Sequence, residues 1–332
     1  MRGSEPAEAV AHPNIALVKY WGKRDDRLVI PYADSLSMTL DVFPTTTQVR
    51  LQPHATHDVV IMDGALARNN ARRRIVDFLD LVREQAGRSE CAVVKTCNTV
   101  PVGAGLASSA SGFAALALAS TAAYELEYEP AALSRLARRG SGSAARSVFG
   151  GFVRWHAGAP DAPDPDRASF AEPLTGTQLD LALVAVLLET GHKSVSSREA
   201  MSRSARTSPL FPTWLARTRA EIGEMCAALD EGDLATVGAI AECNALGMHR
   251  TMETAVPPVR YRTRDSHRVL QQVRRMRRAG LRAWSTMDAG PNVKVLCATG
   301  DAPLVAEELK QATRRRVVVA RGGPGAVLRG GS

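Results

Sequence analysis

The pattern of apolar and polar residues predicts a chain in which short strands and helices are mixed. Apolar runs at residues 15–18 and 91–94 are typical of buried strands. Residues 35–40 alternate between polar and apolar side chains, which predicts a half-buried strand, and residues 45–51 predict another. Apolar residues recur at helical spacing within residues 68–85, so an amphipathic helix is expected there.

The rest of the chain continues this mixture and divides into two parts. Residues 157–175 are rich in Ala, Asp, Pro and Gly, which is typical of a linker. We therefore predict a flexible N-terminus at 1–12, an N-terminal domain at 13–178 and a C-terminal domain at 179–328. Further helices are predicted at residues 113–124, 131–139, 212–229, 234–251, 266–279 and 303–313, and strands at 150–155, 179–188, 281–287, 293–297 and 317–320.

Length and composition are those of a two-domain protein with an ordinary core. The chain has 332 residues, of which 45% are hydrophobic. Its five cysteines have no Cys-x-x-Cys spacing, which predicts reduced thiols and a cytoplasmic location. The first residues do not resemble a signal peptide, and no apolar run approaches the roughly 20 residues of a membrane span. We therefore expect no membrane partner.

The basic charge does not by itself indicate a nucleic-acid partner. The net charge is +8 and the pI is about 9.6. However, the arginine runs at residues 72–74, 274–275 and 314–316 are not interleaved with aromatic residues that could stack on bases. We interpret them as solvated faces and expect a small anionic substrate instead.

A Gly- and Ser-rich stretch at residues 99–113 is the strongest candidate for a ligand site. Its glycines let the backbone turn sharply, and its serines place hydroxyls at a helix start, where free N–H groups favour a phosphate. The simpler alternative is a serine N-cap after a glycine turn. The stretch contains neither a Walker A motif nor the dinucleotide fingerprint. The residues concerned are Gly103, Gly105, Gly112, Ser108, Ser109 and Ser111.

Other candidates are basic. Only six of the 42 basic residues are lysines, yet Lys19 and Lys23 lie four residues apart where a strand opens into a loop. Isolated lysines there would be surface residues, whereas beside a phosphate loop they would bind an anion. A second Gly/Ser loop at residues 138–146 ends in Arg146, whose guanidinium can bind a carboxylate or phosphate with two hydrogen bonds.

Two further residues are ambiguous from the sequence alone. Asp288 opens a turn-like stretch between two predicted strands, and is either a turn residue or a functional carboxylate. His192 has no second His or carboxylate at ligand spacing, so the sequence assigns no metal ligand.

Four stretches resemble motifs of one enzyme family. Residues 105–109, Gly-Leu-Ala-Ser-Ser, resemble the phosphate loop of the GHMP kinases, Pro-x-x-x-Gly-Leu-[Ala/Gly]-Ser-Ser. More specifically, the chain resembles the diphosphomevalonate decarboxylases from about residue 14 to about residue 326. The stretches that carry this resemblance are residues 14–24, 105–115, 140–152 and 287–293.

The resemblance implies a fold and an activity. It implies an α+β GHMP kinase fold, with an N-terminal domain like domain 2 of ribosomal protein S5 and a ferredoxin-like C-terminal domain, often as a homodimer. It also implies ATP and Mg²⁺ as cofactors. The implied reaction converts (R)-5-diphosphomevalonate to isopentenyl diphosphate, ADP, phosphate and CO₂.

The resemblance also implies roles for residues at matching positions. Asp288 would be the catalytic carboxylate, Lys19 would lie near the reacting groups, and Arg146 would hold the substrate carboxylate. The other implied substrate-binding residues are Tyr20, Lys23, Ser141, Gly142, Ser143, Ser197, Arg198 and Ala289. The implied nucleotide-binding residues are Asn98, Pro101, Gly103, Gly105, Leu106, Ala107, Ser108, Ser109 and Ser111.

Two places depart from the family pattern. Ala33 and Asp34 replace the usual Asn-Ser, and we expect residues 32–34 to line the cleft mouth and to weaken binding modestly. Asp34 would oppose an anionic substrate unless a Lys or Arg pairs with it. Ala145 replaces a common Cys, which we interpret as a packing change.

Two alternatives stay open from the sequence. The first keeps the fold but makes the protein a GHMP small-molecule kinase, or a decarboxylase of another phosphorylated 3-hydroxy acid. The second is an RNA-binding module, which an S5-like domain and a high pI would permit.

Overall fold

The computed structural model describes residues 5–99, 108–188 and 195–330. Its architecture is mixed α+β, as predicted. The strands are β1 (Ala7–Ala11), β2 (Asn14–Val18), β3 (Lys23–Asp25), β4 (Ile30–Pro31), β5 (Ser35–Thr39), β6 (Thr45–Gln52), β7 (Val59–Met62), β8 (Ala65–Leu66), β9 (Cys91–Asn98), β10 (Phe152–Trp155), β11 (Ala171–Pro173), β12 (Leu181–Leu187), β13 (Trp284–Met287), β14 (Val293–Ala298), β15 (Arg316–Ala320) and β16 (Val327–Arg329). The helices are α1 (Asn69–Ala86), α2 (Ser108–Ala123), α3 (Pro130–Gly140), α4 (Ala144–Ser147), α5 (Pro165–Ala168), α6 (Ser197–Thr207), α7 (Phe211–Glu231), α8 (Leu234–Glu253), α9 (Arg264–Arg278) and α10 (Ala302–Thr313).

The N-terminal half contains a six-stranded sheet with the order β16-β1-β6-β9-β7-β8. Neighbouring strands are antiparallel, except that β7 and β9 are parallel. Helix α2 is apolar on nearly every side because it lies in a core shared with the sheet and with α1 and α3. This packing fixes the start of α2, at Ser108.

A second, four-stranded antiparallel sheet has the order β11-β10-β5-β2. All five residues of β2 are buried. Ile15 and Leu17 of β2 share a core with Leu183, Ile222 and Met225 of the C-terminal half. Since the chain leaves β2 just before Lys19, that lysine lies at the junction of the two halves.

The C-terminal half is built on a four-stranded antiparallel sheet with the order β13-β14-β12-β15. Alternate residues of β12 enter two different cores. Leu181 and Leu183 pack with α7 and α8, whereas Ala182 and Val184 pack with α9 and α10. Helices on both faces explain why this strand is a continuous apolar run in the sequence.

Some predicted placements are wrong. Ala7–Ala11 lie within the predicted flexible N-terminus, yet they form β1, which pairs with both β6 and β16. The predicted linker at residues 157–175 contains α5 and β11, and β11 pairs with β10. The short elements α5 and β11 bury few apolar side chains, so the sequence pattern did not reveal them. The strand at residues 317–320 is followed by β16, which returns to the N-terminal sheet.

The other predicted helices and strands are present, although several of their ends differ from the prediction. Among the helices of the described residues, none combines the length and apolar character that a membrane crossing requires.

Candidate active site

A cavity of about 500 Å³ lies where the two halves of the chain meet. Its walls come from the end of β2, the start of α2, the segment from α3 to α4, the start of α6 and the turn before β14. It brings together these residues of the predicted set: Lys19, Tyr20, Lys23, Ser108, Ser109, Ser141, Gly142, Ser143, Arg146, Ser197, Arg198, Asp288 and Ala289.

Asp288 is held between two lysines. Lys19 Nζ donates to Asp288 Oδ1 at 2.9 Å, and Lys294 Nζ donates to Oδ2 at 2.8 Å. Both lysine side chains are 2% exposed, whereas that of Asp288 is 26% exposed. Burial alone would raise the pKa of Asp288, but Lys19 and Lys294 outweigh burial and hold that pKa well below its usual range. The carboxylate is therefore ionised at neutral pH.

Lys19 is buried and tied to the C-terminal half. Burial lowers the pKa of Lys19, although the charge of Asp288 partly opposes this shift. The Lys19 backbone N–H donates to Asn244 Oδ1 on α8 at 2.9 Å. Asn244 Nδ2 in turn donates to Glu221 Oε2 on α7 at 2.7 Å. The orientation of Lys19 therefore depends on contacts across the junction.

Arg146 is a buried cation that hydrogen-bonds to neutral groups. Its Nε donates to Ser37 Oγ at 2.9 Å, its Nη1 to Ser35 Oγ at 2.5 Å and its Nη2 to Asn14 Oδ1 at 3.2 Å. Within the described part of the chain, no carboxylate lies at hydrogen-bonding distance from it. Burial lowers the pKa of Arg146 to about 10, which leaves it charged at pH 7. The charge of Asp288 offsets part of this burial effect, but no carboxylate of the described residues hydrogen-bonds to the guanidinium, so the site favours an anionic ligand.

Tyr20 and the loop before α4 form another wall. A Cβ atom at Gly142 would lie 2.7 Å from the Tyr20 ring, so this close packing requires glycine. The Tyr20 ring also packs edge-on against Trp155, with 4.7 Å between the ring centroids. Burial raises the pKa of Tyr20 above its ordinary value, so the hydroxyl stays protonated and can donate to an anion.

Further cations line the outer part of the cavity. Lys23, on β3, forms an ion pair with Asp26. Ser197 and Arg198 lie in the first turn of α6, whose N-cap Ser196 accepts a hydrogen bond from a backbone N–H. The positive end of this helix and these cations together favour an anion such as a phosphate.

A second cavity, of about 230 Å³, lies beside the first at the start of α2. Ser108, Ser109 and Arg74 line both cavities. Asn98 also lines the second cavity, and much of its remaining wall is apolar. An apolar slot that opens at a helix N-terminus can hold a flat ring system at one end and phosphates at the other. The apolar side chains are Met62, Ile75, Val94, Phe113 and Leu116.

Known families match both halves of this chain. The model for a diphosphomevalonate decarboxylase-like N-terminal domain matches residues 11–171, and the model for a mevalonate 5-diphosphate decarboxylase C-terminal domain matches residues 182–320. The diphosphomevalonate decarboxylase of Homo sapiens is 34% identical over 322 residues, which is 89% of this chain and 78% of the human one. The chain belongs to the diphosphomevalonate decarboxylase family.

Solved structures of this family have the same fold. The complex of MDDEF with MVAPP, AMPPCP and magnesium is 41% identical to this chain with a TM-score of 0.91, and the match covers 98% of each chain. The mevalonate diphosphate decarboxylase from Staphylococcus aureus is 36% identical with a TM-score of 0.92, again over 98% of each chain. These likenesses confirm the predicted GHMP kinase fold.

Part of the family's predicted phosphate loop lies outside the described residues. The loop residues concerned are Pro101, Gly103, Gly105, Leu106 and Ala107. His192, which is not part of this loop, also lies outside the described residues. Their assignments stay predictions.

Ser111 does not have the expected place in the family site. Its side chain is buried, its Oγ lies 2.7 Å from Thr45 Oγ1, and it also donates to the Ser108 carbonyl oxygen at 3.3 Å. Ser111 lines neither cavity. This face of α2 packs on β6, so the structure gives the hydroxyl partners within the protein, and its assignment to nucleotide binding stays a prediction.

Ala33 and Asp34, which depart from the family pattern, do not line the main cavity. Residues 32–34 line a separate cavity of about 310 Å³. Arg154 donates to Asp34 Oδ2 at 2.7 and 3.0 Å, so the carboxylate charge is paired. The expected place at the substrate cleft mouth is wrong, and the structure gives no reason for weaker substrate binding. Ala145 is fully buried, as a packing residue should be.

Several residues at the family site were missed in the sequence. Asn14 and Arg74 line the main cavity, and Lys294 pairs with Asp288. His249 Nε2 lies 3.0 Å from the Asp288 carbonyl oxygen, and burial lowers the pKa of His249 to about 3, so a neutral ring donates this hydrogen bond. One signal was available: Lys294 interrupts an apolar strand, and a buried lysine requires an anionic partner.

The described residues fit a magnesium ion that is bound mainly by phosphates. Among them, no group of three or more His, Cys, Asp or Glu side chains could hold a metal ion. Mg²⁺ in phosphoryl-transfer sites typically uses few protein ligands together with substrate phosphates and water. The serine hydroxyls at the start of α2 lie where the two cavities meet and would face such phosphates.

Proposed function

We propose that this protein catalyses the ATP-dependent decarboxylation of (R)-5-diphosphomevalonate to isopentenyl diphosphate, ADP, phosphate and CO₂. One observation carries the proposal: Arg146, buried among neutral partners, lines the same cavity as Asp288. The cavity thus offers a cation for the substrate carboxylate and an anion for its hydroxyl. The MDDEF complex with MVAPP and AMPPCP supports the same pair of ligands here.

The cations and hydroxyls of the cavity would bind the substrate diphosphate. Guanidinium, ammonium and hydroxyl donors together suit its several oxygens. The donors lie on separate elements, so they would fix both the position and the orientation of the substrate. The residues in this role are Tyr20, Lys23, Ser141, Gly142, Ser143, Ser197 and Arg198, with Ala289 in contact beside Asp288.

The substrate hydroxyl would meet the ionised carboxylate of Asp288. As an anion, Asp288 would accept the hydrogen bond of the hydroxyl and take its proton as the oxygen forms a bond to the γ-phosphorus of ATP and ADP leaves. Lys19 would offset negative charge that develops nearby. ATP supplies the phosphoryl group that turns the hydroxyl into a good leaving group, and Mg²⁺ neutralises charge on its phosphates. Asn98, Ser108, Ser109 and the loop at residues 101–107 would hold the nucleotide.

Decarboxylation would follow departure of phosphate. The C–O bond to phosphate breaks and leaves electron-poor carbon next to the carbon that bears the carboxylate. The bond to the carboxylate then breaks, its electron pair forms the alkene, and CO₂ leaves. Arg146 would hold the carboxylate in line until this step, because Ser35, Ser37 and Asn14 fix its guanidinium.

The test is incubation of the purified protein with ATP, Mg²⁺ and (R)-5-diphosphomevalonate. We expect isopentenyl diphosphate, ADP, phosphate and CO₂ in equal amounts. ADP without CO₂ would support the kinase alternative. CO₂ released only from a different phosphorylated 3-hydroxy acid would show that this acid, and not diphosphomevalonate, is the substrate. Salt-dependent RNA binding without ATP turnover would support the RNA-binding alternative.

We also propose that the protein is a cytoplasmic homodimer. Its two domains would meet in the sequence at residues 178–179. Family resemblance supports the dimer, and light scattering tests it. All five cysteines are free, in keeping with a reducing compartment. The two family models end and begin on either side of the proposed boundary, at residues 171 and 182.

A further inference from the structure

Lys294 contacts the reacting carboxylate from inside the C-terminal sheet, and the proposed function gives it no role. It lies on β14, is 2% exposed, and donates to Asp288 Oδ2 at 2.8 Å. The pairing of β13 and β14 places Lys294 opposite Thr286, two residues before Asp288. The lysine therefore reaches the carboxylate across this hairpin.

The two lysines that contact Asp288 are not equivalent. Lys19 lines the cavity and also donates to the Ala16 carbonyl oxygen at 2.6 Å. Lys294 is not among the described residues that line the cavity, and it contacts the other carboxylate oxygen. Lys19 therefore borders the cavity, whereas Lys294 contacts Asp288 from the side away from the cavity.

The position of Lys294 is unfavourable for stability. Leu296, two residues along the same face of β14, packs in an apolar core with Ile222 and Trp284. Burying an ammonium group costs free energy that an ion pair repays only with good geometry, and an apolar side chain of similar volume avoids the cost. The lysine is therefore better explained by what it does to Asp288.

We propose that Lys294 is a positioning residue, which fixes the Asp288 carboxylate in one orientation and keeps it ionised, so that the substrate hydroxyl meets an anion. This inference rests on the proposed function. The groups that face Asp288 come from several elements. They are Lys19 after β2, Lys294 on β14, Arg146 on α4 and neutral His249 on α8, with Tyr20 and Arg198 in the same cavity.

The sign of the pH dependence follows from these charges. Lys19 and Lys294 both lower the pKa of Asp288, against the effect of burial. When the charge of Lys294 is removed, burial still opposes ionisation but only one contacting cation remains. The pKa of Asp288 then rises, and activity that needs the anion disappears at a higher pH as the solution is acidified.

Three substitutions separate charge from shape. Lys294→Met and Lys294→Gln remove the charge, whereas Lys294→Arg retains it. In the first two, we expect the acid limb of the kcat profile to move up by about 1 pH unit or more, since an adjacent opposite charge shifts a carboxyl pKa by about 1–3 units. We also expect kcat at neutral pH to fall about tenfold, because the carboxylate loses its orientation. Lys294→Arg should keep the wild-type limb.

Thr286→Val is the matched control. Thr286 faces Lys294 across the hairpin, is 1% exposed, and its hydroxyl has no hydrogen-bond partner among the described residues. This variant also changes a buried polar group next to Lys294, but it removes no contact with Asp288. Its kcat profile should be that of the wild type.

A ¹³C NMR titration of the aspartate carboxyls in substrate-free protein gives a second readout, with Asp288→Asn assigning the signal. This titration tests Lys294 even if the wild type turns over no diphosphomevalonate, a result that would reject the proposed function alone. An unchanged Asp288 titration in Lys294→Met and Lys294→Gln would overturn the inference. So would equal loss of kcat in the Arg and Met variants. If the Met variant does not fold, the Gln variant, which keeps a hydrogen-bond donor, decides.

Discussion

At the scale of single residues, the charges of the site are paired in one place and left open in another. The Asp288 carboxylate forms ion pairs with Lys19 and Lys294, so its negative charge is already paired before a ligand binds. Among the described residues, Arg146 donates hydrogen bonds only to hydroxyl and amide oxygens, so its guanidinium can still take an anionic ligand as a direct partner. Substitutions of Asp288 and of Arg146 should therefore affect substrate binding and turnover differently.

Asp288→Asn keeps size and polarity but removes the negative charge. Turnover should fall by about 10²–10⁴-fold, the range typical of a positioned acid–base or charge-stabilising group, while substrate binding persists. Steady-state kinetics and substrate titration would separate the two effects. Asp230→Asn, at an exposed carboxylate on α7, is the control and should behave as wild type. Turnover within threefold of wild type in Asp288→Asn would reject the assignment.

Arg146→Ala and Arg198→Ala should differ in kind. Arg198 lines the cavity at the start of α6, where it would bind a diphosphate that changes little during the reaction, so its loss should mainly raise KM. Arg146 would hold the group that leaves, so its loss should mainly lower kcat. Measuring kcat and KM for both variants tests the division of roles. An identical, purely KM-based defect in the two variants would contradict it.

At the scale of elements, the sequence predicted structure best where apolar periodicity is strong. Helix α7, strand β12 and the helical pattern of α1 were found because each buries a continuous apolar face. β1 and β11 were missed, since such short strands are held by backbone hydrogen bonds to neighbouring strands, which leave little trace in the amino-acid sequence. The loop between α3 and α4 was recognised from its motif, but its packing on Tyr20 was not.

Gly142→Ala tests that packing. The new Cβ would lie 2.7 Å from the Tyr20 ring, whose movement is restricted by its edge-on packing against Trp155. We expect KM for the substrate to rise about tenfold, roughly the effect of losing one good hydrogen bond to a charged group. Gly223→Ala on α7 is the control, since its Cβ meets nothing within 4 Å. That variant should keep its KM and gain up to about 1 kcal/mol of stability.

At the scale of the whole molecule, the site depends on contacts that cross between the two halves. Lys19 follows an N-terminal strand, whereas Asp288, Lys294 and Asn244 belong to the C-terminal half. The resemblance to family motifs identified Lys19 and Asp288 as two separate site residues. The periodicity of the sequence, however, does not predict how far apart they lie in the fold. The interrupted apolar strand marks Lys294 as an unusual residue, but its pairing with Asp288, and the contact of Asn244 with Lys19, could not be predicted, because both contacts exist only in the assembled fold.

The chain end provides another such contact, and Gly323→Ala tests it. Gly323 N–H donates to the Thr39 carbonyl oxygen at 2.8 Å, and its own carbonyl oxygen accepts from Gly151 N–H at 3.0 Å. A Cβ at Gly323 would lie 2.1 Å from the Leu40 carbonyl oxygen, a backbone atom that cannot rotate away. Leu40 directly follows β5, whose Ser35 and Ser37 hold Arg146. The substitution should therefore lower both stability and turnover, although it lies outside the cavity.

We expect Gly323→Ala to lose about 1–3 kcal/mol of unfolding free energy, the usual cost of forcing a methyl group into a packed site. Urea unfolding and kcat would be measured together. Gly322→Ala, one residue earlier, is the control, because its Cβ meets nothing within 4 Å and should change neither quantity. If Gly323→Ala were as stable as Gly322→Ala, the returning chain end would not be holding β5. If stability fell and kcat did not, β5 would keep Arg146 in place without the support of Gly323.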